Sequence, residues 1–390
     1  MAIPEQFIDE LVARSDIADV VGSYVSLSPK GGSLWGCCPF HSEKTPSFHV
    51  VPDRQIFKCF GCGKGGGVIT FIMEIENLPF VDAVRLLGQR AGMTMPETGE
   101  NEGYRRRRER LLELNREAAR WFHQQLMGPQ GTAGAEYLFG RRGLSRGTVK
   151  RFGLGMAPDG WDKLMAAMAE KGYDKRDMLD AGLAVDSKKG RIYDRFRGRV
   201  MFPIIDIRGD VIGFGGRVLD DGTPKYLNSP DTIVYNKSRN LFALNIAKKS
   251  RLGRIILTEG YMDTISLHQA GFDCAVASLG TALTAEHAQL LARYTKEAVI
   301  AYDGDGAGVA AAQRAIPILE KTGLKVRVLR MAGAKDPDEY IKKFGREAFA
   351  KLLDQSENHI EYRLSQVRRK YDLSDDAQRV EFLREAVGVV

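Results

Sequence analysis

The segment RIILTEGYMD, residues 254–263, is an apolar run that ends in acidic residues, and AVIAYDGDGAG, residues 298–308, repeats this arrangement. Both runs have the length and the β-branched content of a short buried strand. Glu259 follows the first run directly, and Asp303 and Asp305 follow the second. We therefore expect carboxylates at the carboxyl ends of two strands, the edge at which open α/β sheets bind ligands.

Short apolar runs alternate with helical patterns in the region around these acids. The predicted strands are Ile255–Thr258, Cys274–Ala277, Ala298–Tyr302 and Lys325–Leu329, and the predicted helices are Met262–Ala270, Ala285–Tyr294 and Gly308–Lys321. Such alternation is typical of a parallel sheet with crossover helices. Residues 246–335 are therefore predicted to form a parallel α/β sheet.

The three acids predict a site for a divalent cation. Carboxylates that converge without a counter-ion repel one another, and bound Mg2+ or Mn2+ removes that repulsion. Such a site suits phosphoryl chemistry, because the cation neutralises charge on a departing pyrophosphate. Asp336 and Asp338 follow the next predicted strand and are further candidate ligands. For each of these two residues alone, a helix cap or a turn is an equal interpretation.

Two spaced pairs of metal-binding side chains, CPFH at 38–41 and CFGC at 59–62, indicate a zinc ribbon. The predicted ligands of one structural Zn2+ per chain are Cys38, His41, Cys59 and Cys62. Cys37 is an alternative to Cys38, although it lengthens the first spacing by one residue. Unliganded cysteines in a small core are the competing interpretation, and the ribbon spacing disfavours them.

Cations and aromatic residues lie around the predicted zinc site. Lys58 and Phe60 are candidates for contact with a phosphate and an unpaired base of single-stranded DNA. Core packing is the preferred interpretation of Phe57 and of Phe60 when each aromatic residue is considered alone.

The chain has 390 residues, which is too long for one hydrophobic core, and its pattern predicts a multidomain protein of α/β and α+β class. The predicted segments are a zinc-ribbon domain at 1–98, a flexible linker at 99–107, a mixed basic subdomain at 108–245, the parallel sheet at 246–335 and a helical bundle at 336–390. The last segment ends without a recognisable stop, and we expect it to be truncated.

The formal net charge of +7 suits a polyanionic partner such as nucleic acid. Six cations and one acid lie between Lys188 and Arg199, and Arg197 and Arg199 are candidate DNA contacts. A DNA-tracking groove is favoured over a solvated charged face, and its affinity should fall as salt rises. The apolar runs are too short to cross a membrane and the N-terminus lacks a signal-peptide pattern, so we expect a cytoplasmic protein without a membrane partner.

The motifs also resemble those of a known family. EGYMD at 259–263 and DGDGAG at 303–308 resemble the signatures of the Toprim domain of primases, topoisomerases and some nucleases. The two metal-binding pairs are similar to the zinc ribbon of bacterial replicative primases. The segments at 197–203, 211–217 and 224–230 resemble the primase catalytic core. In order and extent, the sequence resembles bacterial DNA primases of the DnaG type.

This resemblance implies a DNA-directed RNA polymerase that makes short RNA primers on single-stranded DNA from ribonucleoside triphosphates. It implies Glu259, Asp303 and Asp305 as metal ligands. The supporting acids that it implies are Asp263, Asp336 and Asp338. The residues that it implies in the template or nucleotide groove are Arg142, Arg217, Lys225 and Lys237. Family members bind the replicative helicase through a C-terminal domain, which we expect to be absent here. A single-stranded DNA-binding protein is another expected partner, and the chain is expected to be a monomer.

Other function classes fit parts of the sequence. A Toprim topoisomerase or nuclease shares the acids, and a topoisomerase also needs a tyrosine nucleophile, for which Tyr261 is the adjacent candidate. A DNA-binding module without activity is disfavoured by the intact Glu259, Asp303 and Asp305. A fused primase–helicase is disfavoured because the sequence lacks a G-x-x-x-x-G-K-[ST] loop.

Overall fold

The computed structural model describes residues 3–389 apart from residues 42, 77, 94–98, 188–189 and 221. The chain divides into two compact units. The first unit comprises Met1–Arg107, Ala288–Arg293 and Leu319–Leu324, and the second comprises Arg108–His287, Tyr294–Ile318 and Lys325–Val390. Within the described ranges, no helix combines the length and the apolar character that crossing a lipid bilayer requires.

The first unit contains a small antiparallel sheet flanked by helices. Its helices are α1 (Glu5–Arg14), α2 (Ile17–Gly22), α3 (Val68–Glu76) and α4 (Phe80–Arg90), and its strands are β1 (Ser28–Lys30), β2 (Ser33–Gly36), β3 (Phe48–Val51), β4 (Ile56–Cys59) and β5 (Gly65–Gly66). The strands pair antiparallel in chain order. Because side chains alternate along a strand, Phe48 and Phe57 pack into the core while Trp35, His49 and Lys58 share the other face.

Helix α5 (Gly99–Met127) corrects the prediction of a flexible linker at residues 99–107. Arginine and glutamate are good helix formers, and Glu102 forms an ion pair with Arg106 one turn later. The first turns of the helix therefore lie in the segment that was predicted to be a linker. Residues 94–98 lie outside the described residues.

The remaining elements follow α5. The helices are α6 (Thr132–Ala135), α7 (Arg146–Arg151), α8 (Lys163–Ala169), α9 (Lys175–Asp180), α10 (Leu244–Ala247), α11 (Tyr261–Gln269), α12 (Ala285–Ala292), α13 (Gly306–Glu320), α14 (Pro337–Asp354), α15 (His359–Arg368) and α16 (Asp376–Val387). The strands are β6 (Gly155–Ala157), β7 (Ala184–Asp186), β8 (Ile192–Asp194), β9 (Arg199–Ile205), β10 (Val211–Val218), β11 (Tyr226–Asn228), β12 (Ile255–Thr258), β13 (Ala275–Ala277), β14 (Glu297–Ile300), β15 (Lys325–Val328) and β16 (Glu357–Asn358). A π-helical segment runs from Glu136 to Arg141.

Two larger sheets organise the second unit, and β7 and β8 form a separate antiparallel pair. An antiparallel sheet has the order β11-β10-β9-β6, and a second sheet has the order β13-β12-β14-β15-β16. In the second sheet β13, β12, β14 and β15 are parallel, and β16 pairs antiparallel with β15. This confirms the predicted parallel α/β region and the mixed subdomain before it. Leu257 pairs with Ile300, so the residues that follow β12 and β14 meet at one edge.

Candidate active site and metal centre

The predicted zinc ligands lie together in the first unit. One ligand atom from each of Cys38, His41, Cys59 and Cys62 lies within 4.8 Å of the others. The Sγ atoms of Cys38 and Cys62 are 3.8 Å apart, which matches the edge of a tetrahedron with Zn–S bonds of about 2.3 Å. Cys37 is exposed and lies outside this set. The donor atoms and their spacing fit a structural Zn2+, and the geometry selects Cys38 over Cys37.

Tight backbone turns hold these ligands in place. The N–H of Cys62 donates to Cys59 Sγ at 3.4 Å, and the N–H of Phe40 donates to Cys38 Sγ at the same distance. A Cβ atom on Gly61 would lie 2.5 Å from Nε2 of His41. Only glycine therefore allows the second turn to approach the histidine ring.

Glu43 supports the histidine ligand, and nothing in the motif spacing predicts this role. Its Oε2 lies 3.2 Å from His41 Nε2, and the opposite ring nitrogen, Nδ1, lies 3.7 Å from Cys59 Sγ. Its Oε1 accepts the N–H groups of Cys38 at 2.7 Å and Ser47 at 3.0 Å. A carboxylate in this position orients a histidine ligand and strengthens zinc binding.

An exposed aromatic face lies beside the zinc ligands. Phe60 is 65% exposed, and its ring stacks on His49 with centroids 5.2 Å apart. Trp35 lies 6.0 Å from Phe60, and Lys30 Nζ lies 5.3 Å from the Trp35 ring. Core packing is thus confirmed for Phe57, which is 1% exposed, and is wrong for Phe60. The alternation along β2 and β3 is the sequence signal that identifies Trp35 and His49.

The face also carries Lys58. Its side chain is exposed, and Nζ donates to the carbonyl of Gly63 at 3.1 Å. This face combines stacking surfaces with cations, which is the composition of a site for single-stranded nucleic acid.

In the second unit, the carboxylates that follow β12 and β14 meet at one sheet edge. Glu259 Oε1 accepts the N–H of Asp303 at 3.0 Å, and Asp305 Oδ1 accepts the N–H of Gly308 at 2.9 Å. A Cβ on Gly308 would lie 2.7 Å from Oε1 of Glu259 and 2.1 Å from the carbonyl oxygen of Asp303. The structure brings the acids together because this position lacks a side chain.

The acids concentrate negative charge. Burial, together with the charges of Glu259, Asp336 and Asp305, raises the pKa of Asp303 to about 6. Burial and the charges of Asp336, Asp303 and Asp338 raise the pKa of Asp263 to about 8. These acidic groups supply the oxygen ligands that hard divalent cations prefer.

The spacing of the acids differs from that of the zinc ligands. Within the described part of the chain, only the zinc ligands form a group of three or more side chains whose ligand atoms lie within 4.8 Å of one another. A hard divalent cation can bind through few protein carboxylates and keep several waters, so the wider spacing of the acids is compatible with a hydrated divalent cation.

Asp336 and Asp338 differ in their surroundings. Asp336 caps α14, where its Oδ1 accepts the N–H of Glu339 at 2.8 Å. Asp338 is 3% exposed, and its carboxylate contacts Arg142, Ser266 and Lys342. The cap interpretation therefore applies to Asp336, whereas both oxygens of Asp338 already have donors from side chains.

Arg142 and Arg217 both contact Tyr137. Arg142 Nε donates to the hydroxyl of Tyr137 at 2.8 Å, and Arg217 lies over the Tyr137 ring at 4.4 Å. Arg217 also lies 5.8 Å from the ring of Tyr226. Its Nε and Nη1 are buried without a hydrogen-bond partner among the described residues. These donors are available to an anion.

The predicted DNA contacts just before β9 and at its first residue separate into two kinds. Arg197 lies 4.5 Å from the ring of Trp161, which is 53% exposed, and 5.0 Å from that of Tyr193. Arg199 is 8% exposed, and its Nη1 donates to the carbonyl of Pro224 at 2.9 Å. Arg197 can thus face a nucleic acid. Arg199 instead hydrogen-bonds to the chain just before β11. The prediction that Arg199 contacts DNA is therefore corrected.

The other two predicted groove residues are lysines that differ in exposure. Lys225 is exposed and Lys237 is half-buried. Lys188 and Lys189, which belong to the predicted basic run, lie outside the described residues.

Tyr261 is a core residue. It is 4% exposed, its hydroxyl donates to Asn228 Oδ1 at 2.8 Å, and its ring stacks on Phe202 with centroids 4.8 Å apart. A Cβ on Gly215 would lie 2.5 Å from this ring. Tyr261 is therefore not presented as a nucleophile.

Family models match three parts of the chain. They describe a CHC2 zinc finger at residues 3–103, the N-terminal domain of a DNA primase catalytic core at residues 121–248 and a Toprim-like domain at residues 256–341. The matches follow the same order as the two sites and the sheets described above.

Individual proteins match over longer stretches. A DNA primase of Clostridium acetobutylicum is 43% identical over 394 residues, which cover 100% of this chain. The chain spans only 65% of that relative's length. The structure of the zinc-binding and RNA polymerase domains of the Aquifex aeolicus primase is 35% identical with a TM-score of 0.63, and covers 98% of this chain and 92% of its own. A DnaG primase catalytic domain bound to single-stranded DNA is 39% identical with a TM-score of 0.64, over 73% of this chain and 93% of its own.

Proposed function

Because the chain belongs to the DNA primase family of the DnaG type, we propose that it synthesises short RNA primers on a single-stranded DNA template. The observation that carries the proposal is the acid cluster of Glu259, Asp303 and Asp305 at the edge of the parallel sheet. In the proposed reaction a 3′ hydroxyl attacks the α-phosphorus of a ribonucleoside triphosphate, and pyrophosphate leaves.

Glu259, Asp303 and Asp305 are the residues that would hold Mg2+ or Mn2+. When bound, the cation neutralises charge on the triphosphate and on the departing pyrophosphate. The backbone N–H of Asp303 donates to one oxygen of Glu259, and that of Gly308 donates to one oxygen of Asp305. The carboxylates are thereby oriented before substrate arrives, which limits the reorganisation needed during reaction.

Arg217 is the proposed contact for the triphosphate. Its unpartnered Nε and Nη1 can donate two hydrogen bonds to phosphate oxygens, and such charge-assisted pairs are strong. Arg142 lies on the hydroxyl side of the same tyrosine. Lys225 and Lys237 are proposed to add positive charge along the groove, and Asp263 and Asp336 are proposed supporting acids.

Two aromatic surfaces are proposed to hold the template. The face of Trp35, His49 and Phe60 offers stacking area beside the zinc ligands, and Lys58 adds a cation. Trp161 with Arg197 offers a similar pair in the second unit. Base stacking of this kind contributes about 1–3 kcal/mol per base and tolerates different sequences.

The proposal extends to the setting in which family members act. We propose a cytoplasmic location, where the chromosome is replicated, and a monomeric chain. A replicative helicase and a single-stranded DNA-binding protein are proposed partners of the whole protein, and no described residue is assigned to either.

The test is incubation of the protein with a single-stranded DNA template, radiolabelled ribonucleotides and Mg2+, with the products sized on a denaturing gel. We expect short RNA chains that require template and all matching ribonucleotides and that are destroyed by alkali. Relaxation of supercoiled DNA is measured in parallel. Relaxation without RNA synthesis would favour a topoisomerase, although the burial of Tyr261 argues against that activity.

A further inference from the structure

We propose that Asp338 is a positioning residue, which holds Arg142 in place for the triphosphate, and that it is not a ligand of the catalytic cation. This inference rests on the proposed function, because it assigns a role within the same site. It separates Asp338 from Asp336, although both acids follow β15 and are only two residues apart in the chain.

The carboxylate of Asp338 is fully engaged by protein donors. Its Oδ1 accepts a hydrogen bond from the hydroxyl of Ser266 in α11. Its Oδ2 contacts Nη1 of Arg142 and Nζ of Lys342, the latter at 2.9 Å. The side chain is buried, with 4% of its area exposed. A cation would have to displace these donors, and removal of a partner from a buried charge pair is costly.

Arg142 is fixed from two directions. Its Nη1 contacts Asp338, and its Nε donates to the hydroxyl of Tyr137 at 2.8 Å. Its guanidinium group also lies 5.4 Å from the Tyr137 ring. An arginine held at two of its nitrogens loses less entropy when it binds a phosphate, since the side chain is already ordered.

Arg217 also packs against Tyr137. It lies over the Tyr137 ring at 4.4 Å and over Tyr226 at 5.8 Å, with Nε and Nη1 unpartnered among the described residues. Tyr137 therefore connects Arg142 to Arg217. The charges of Arg217, Arg142, Asp263 and Asp338 all act on the Tyr226 hydroxyl, which places these groups in one neighbourhood. Asp338 thus anchors one end of a guanidinium pair beside the acid cluster.

Asp336 provides the contrast. It uses Oδ1 to cap α14 by accepting the N–H of Glu339. No ion pair between Asp336 and a lysine or arginine side chain is found in the described ranges, whereas Asp338 forms two. Asp336 therefore keeps a charge that no cationic side chain offsets, and a bound cation meets less competition there than at Asp338.

The experiment compares Asp338→Asn, Arg142→Ala and the double variant with the wild type in primer synthesis. For Asp338→Asn we expect the KM for ribonucleotides to rise on the order of ten-fold, the effect of losing about 1.4 kcal/mol of charge-assisted hydrogen bonding, with a smaller change in kcat. In the Arg142→Ala background, Asp338→Asn should cause no further rise in KM. Asp338→Glu, which keeps the charge, should recover part of the loss.

Direct binding of Mn2+, measured by electron paramagnetic resonance without substrate, provides a readout that is independent of activity. Asp338→Asn should bind Mn2+ within about two-fold of the wild type. The carboxylate-to-amide change in Asp303→Asn, at a proposed ligand, should weaken binding clearly. Loss of Mn2+ binding in Asp338→Asn, or additive KM effects in the double variant, would overturn the inference.

Ser266→Ala gives a second variant in case Asp338→Asn does not fold. It removes only the donor to Oδ1, so KM should rise less than in Asp338→Asn while Mn2+ binding stays constant. Weaker Mn2+ binding together with an unchanged KM would contradict a positioning role. Absence of RNA synthesis by the wild-type protein would instead refute the proposed function, so the two failures are distinguishable.

Discussion

At the scale of single residues, the acid cluster depends on a position that has no side chain. A methyl group on Gly308 would meet the carbonyl oxygen of Asp303 at 2.1 Å and Oε1 of Glu259 at 2.7 Å. The neighbouring Gly306 has no heavy atom within 4 Å of the corresponding position. Both glycines lie in the first turn of α13, so alanine substitutions at Gly308 and Gly306 form a matched test and control.

We expect Gly308→Ala to reduce primer synthesis by on the order of 100-fold, since about 1 Å of misplacement at a site can cost that much. Gly306→Ala should remain near the wild type. Alanine has the higher helix propensity at both positions, so propensity alone predicts the same effect for both variants. Equal activities of the two variants in the gel assay would refute this account of Gly308.

The zinc site gives a second prediction for single residues. Cys62→Ser should lose bound zinc, because Cys62 Sγ lies 3.8 Å from Cys38 Sγ in the ligand set. Cys37→Ser is the control, since Cys37 is exposed and outside the set. Elemental analysis of both purified variants should find zinc only with Cys37→Ser. Zinc retained by Cys62→Ser would show that the assignment is mistaken.

The sequence was sufficient to predict the candidate metal ligands, but not which neighbouring side chains hold those residues in position. The spacing of Cys38, His41, Cys59 and Cys62 follows from local turns, which a motif records. Glu43 reaches His41 through the folded path of the chain, and nothing distinguishes it in sequence from a solvated acid. The same limit applies to Asp338, whose partners in α11 and before α7 are distant along the chain.

At the scale of elements, periodicity predicted the parallel sheet because each strand is a buried apolar run. The predicted β12 agrees with the structure at both ends, and the predicted α11 begins one residue late. Residues 99–107 were predicted to be a flexible linker because they are polar and poor in apolar anchors, yet helix α5 begins at Gly99 and contains the ion pair of Glu102 with Arg106. Local ion pairing and helix-forming arginine and glutamate residues therefore outweigh the lack of apolar residues in this segment.

His268 in α11 predicts how stability depends on pH. Burial lowers the pKa of His268 from 6.5 to about 4 in the folded protein, although the hydrogen bond with the carbonyl of Ala275 opposes this shift. The unfolded chain takes up a proton below about pH 6.5, whereas the folded chain does so only near pH 4. The free energy of unfolding should therefore fall as pH drops through this window, by up to about 3 kcal/mol from this group.

The measurement is urea unfolding of wild type and His268→Gln at pH 7 and pH 5, followed by circular dichroism. The variant lacks the titrating ring, so its stability should depend less on pH, whatever its absolute stability. The same pH dependence in both proteins would exclude His268 as a major source of acid sensitivity.

At the scale of the whole molecule, the described residues of each unit contain one candidate metal site, and the order of the motifs predicted where both candidates lie. The first unit holds the zinc ligands, and the second holds the acids at the edge of its parallel sheet. The resemblance of the motifs to DnaG-type primases predicted the family that the comparisons show. The contacts of Arg142 and Arg199 could not be predicted, because burial and ion pairing depend on residues from other elements.

The central proposal is that the acids at the sheet edge hold the cation that supports nucleotidyl transfer directed by a bound DNA template. The most direct test compares wild type with Asp303→Asn in template-dependent RNA synthesis, with affinity for the template measured by fluorescence anisotropy. The account predicts at least about 100-fold less RNA from the variant, as expected when transition-state charge loses its stabilisation, with template affinity within about two-fold. Equal RNA synthesis by the two proteins, at equal template affinity, would contradict it.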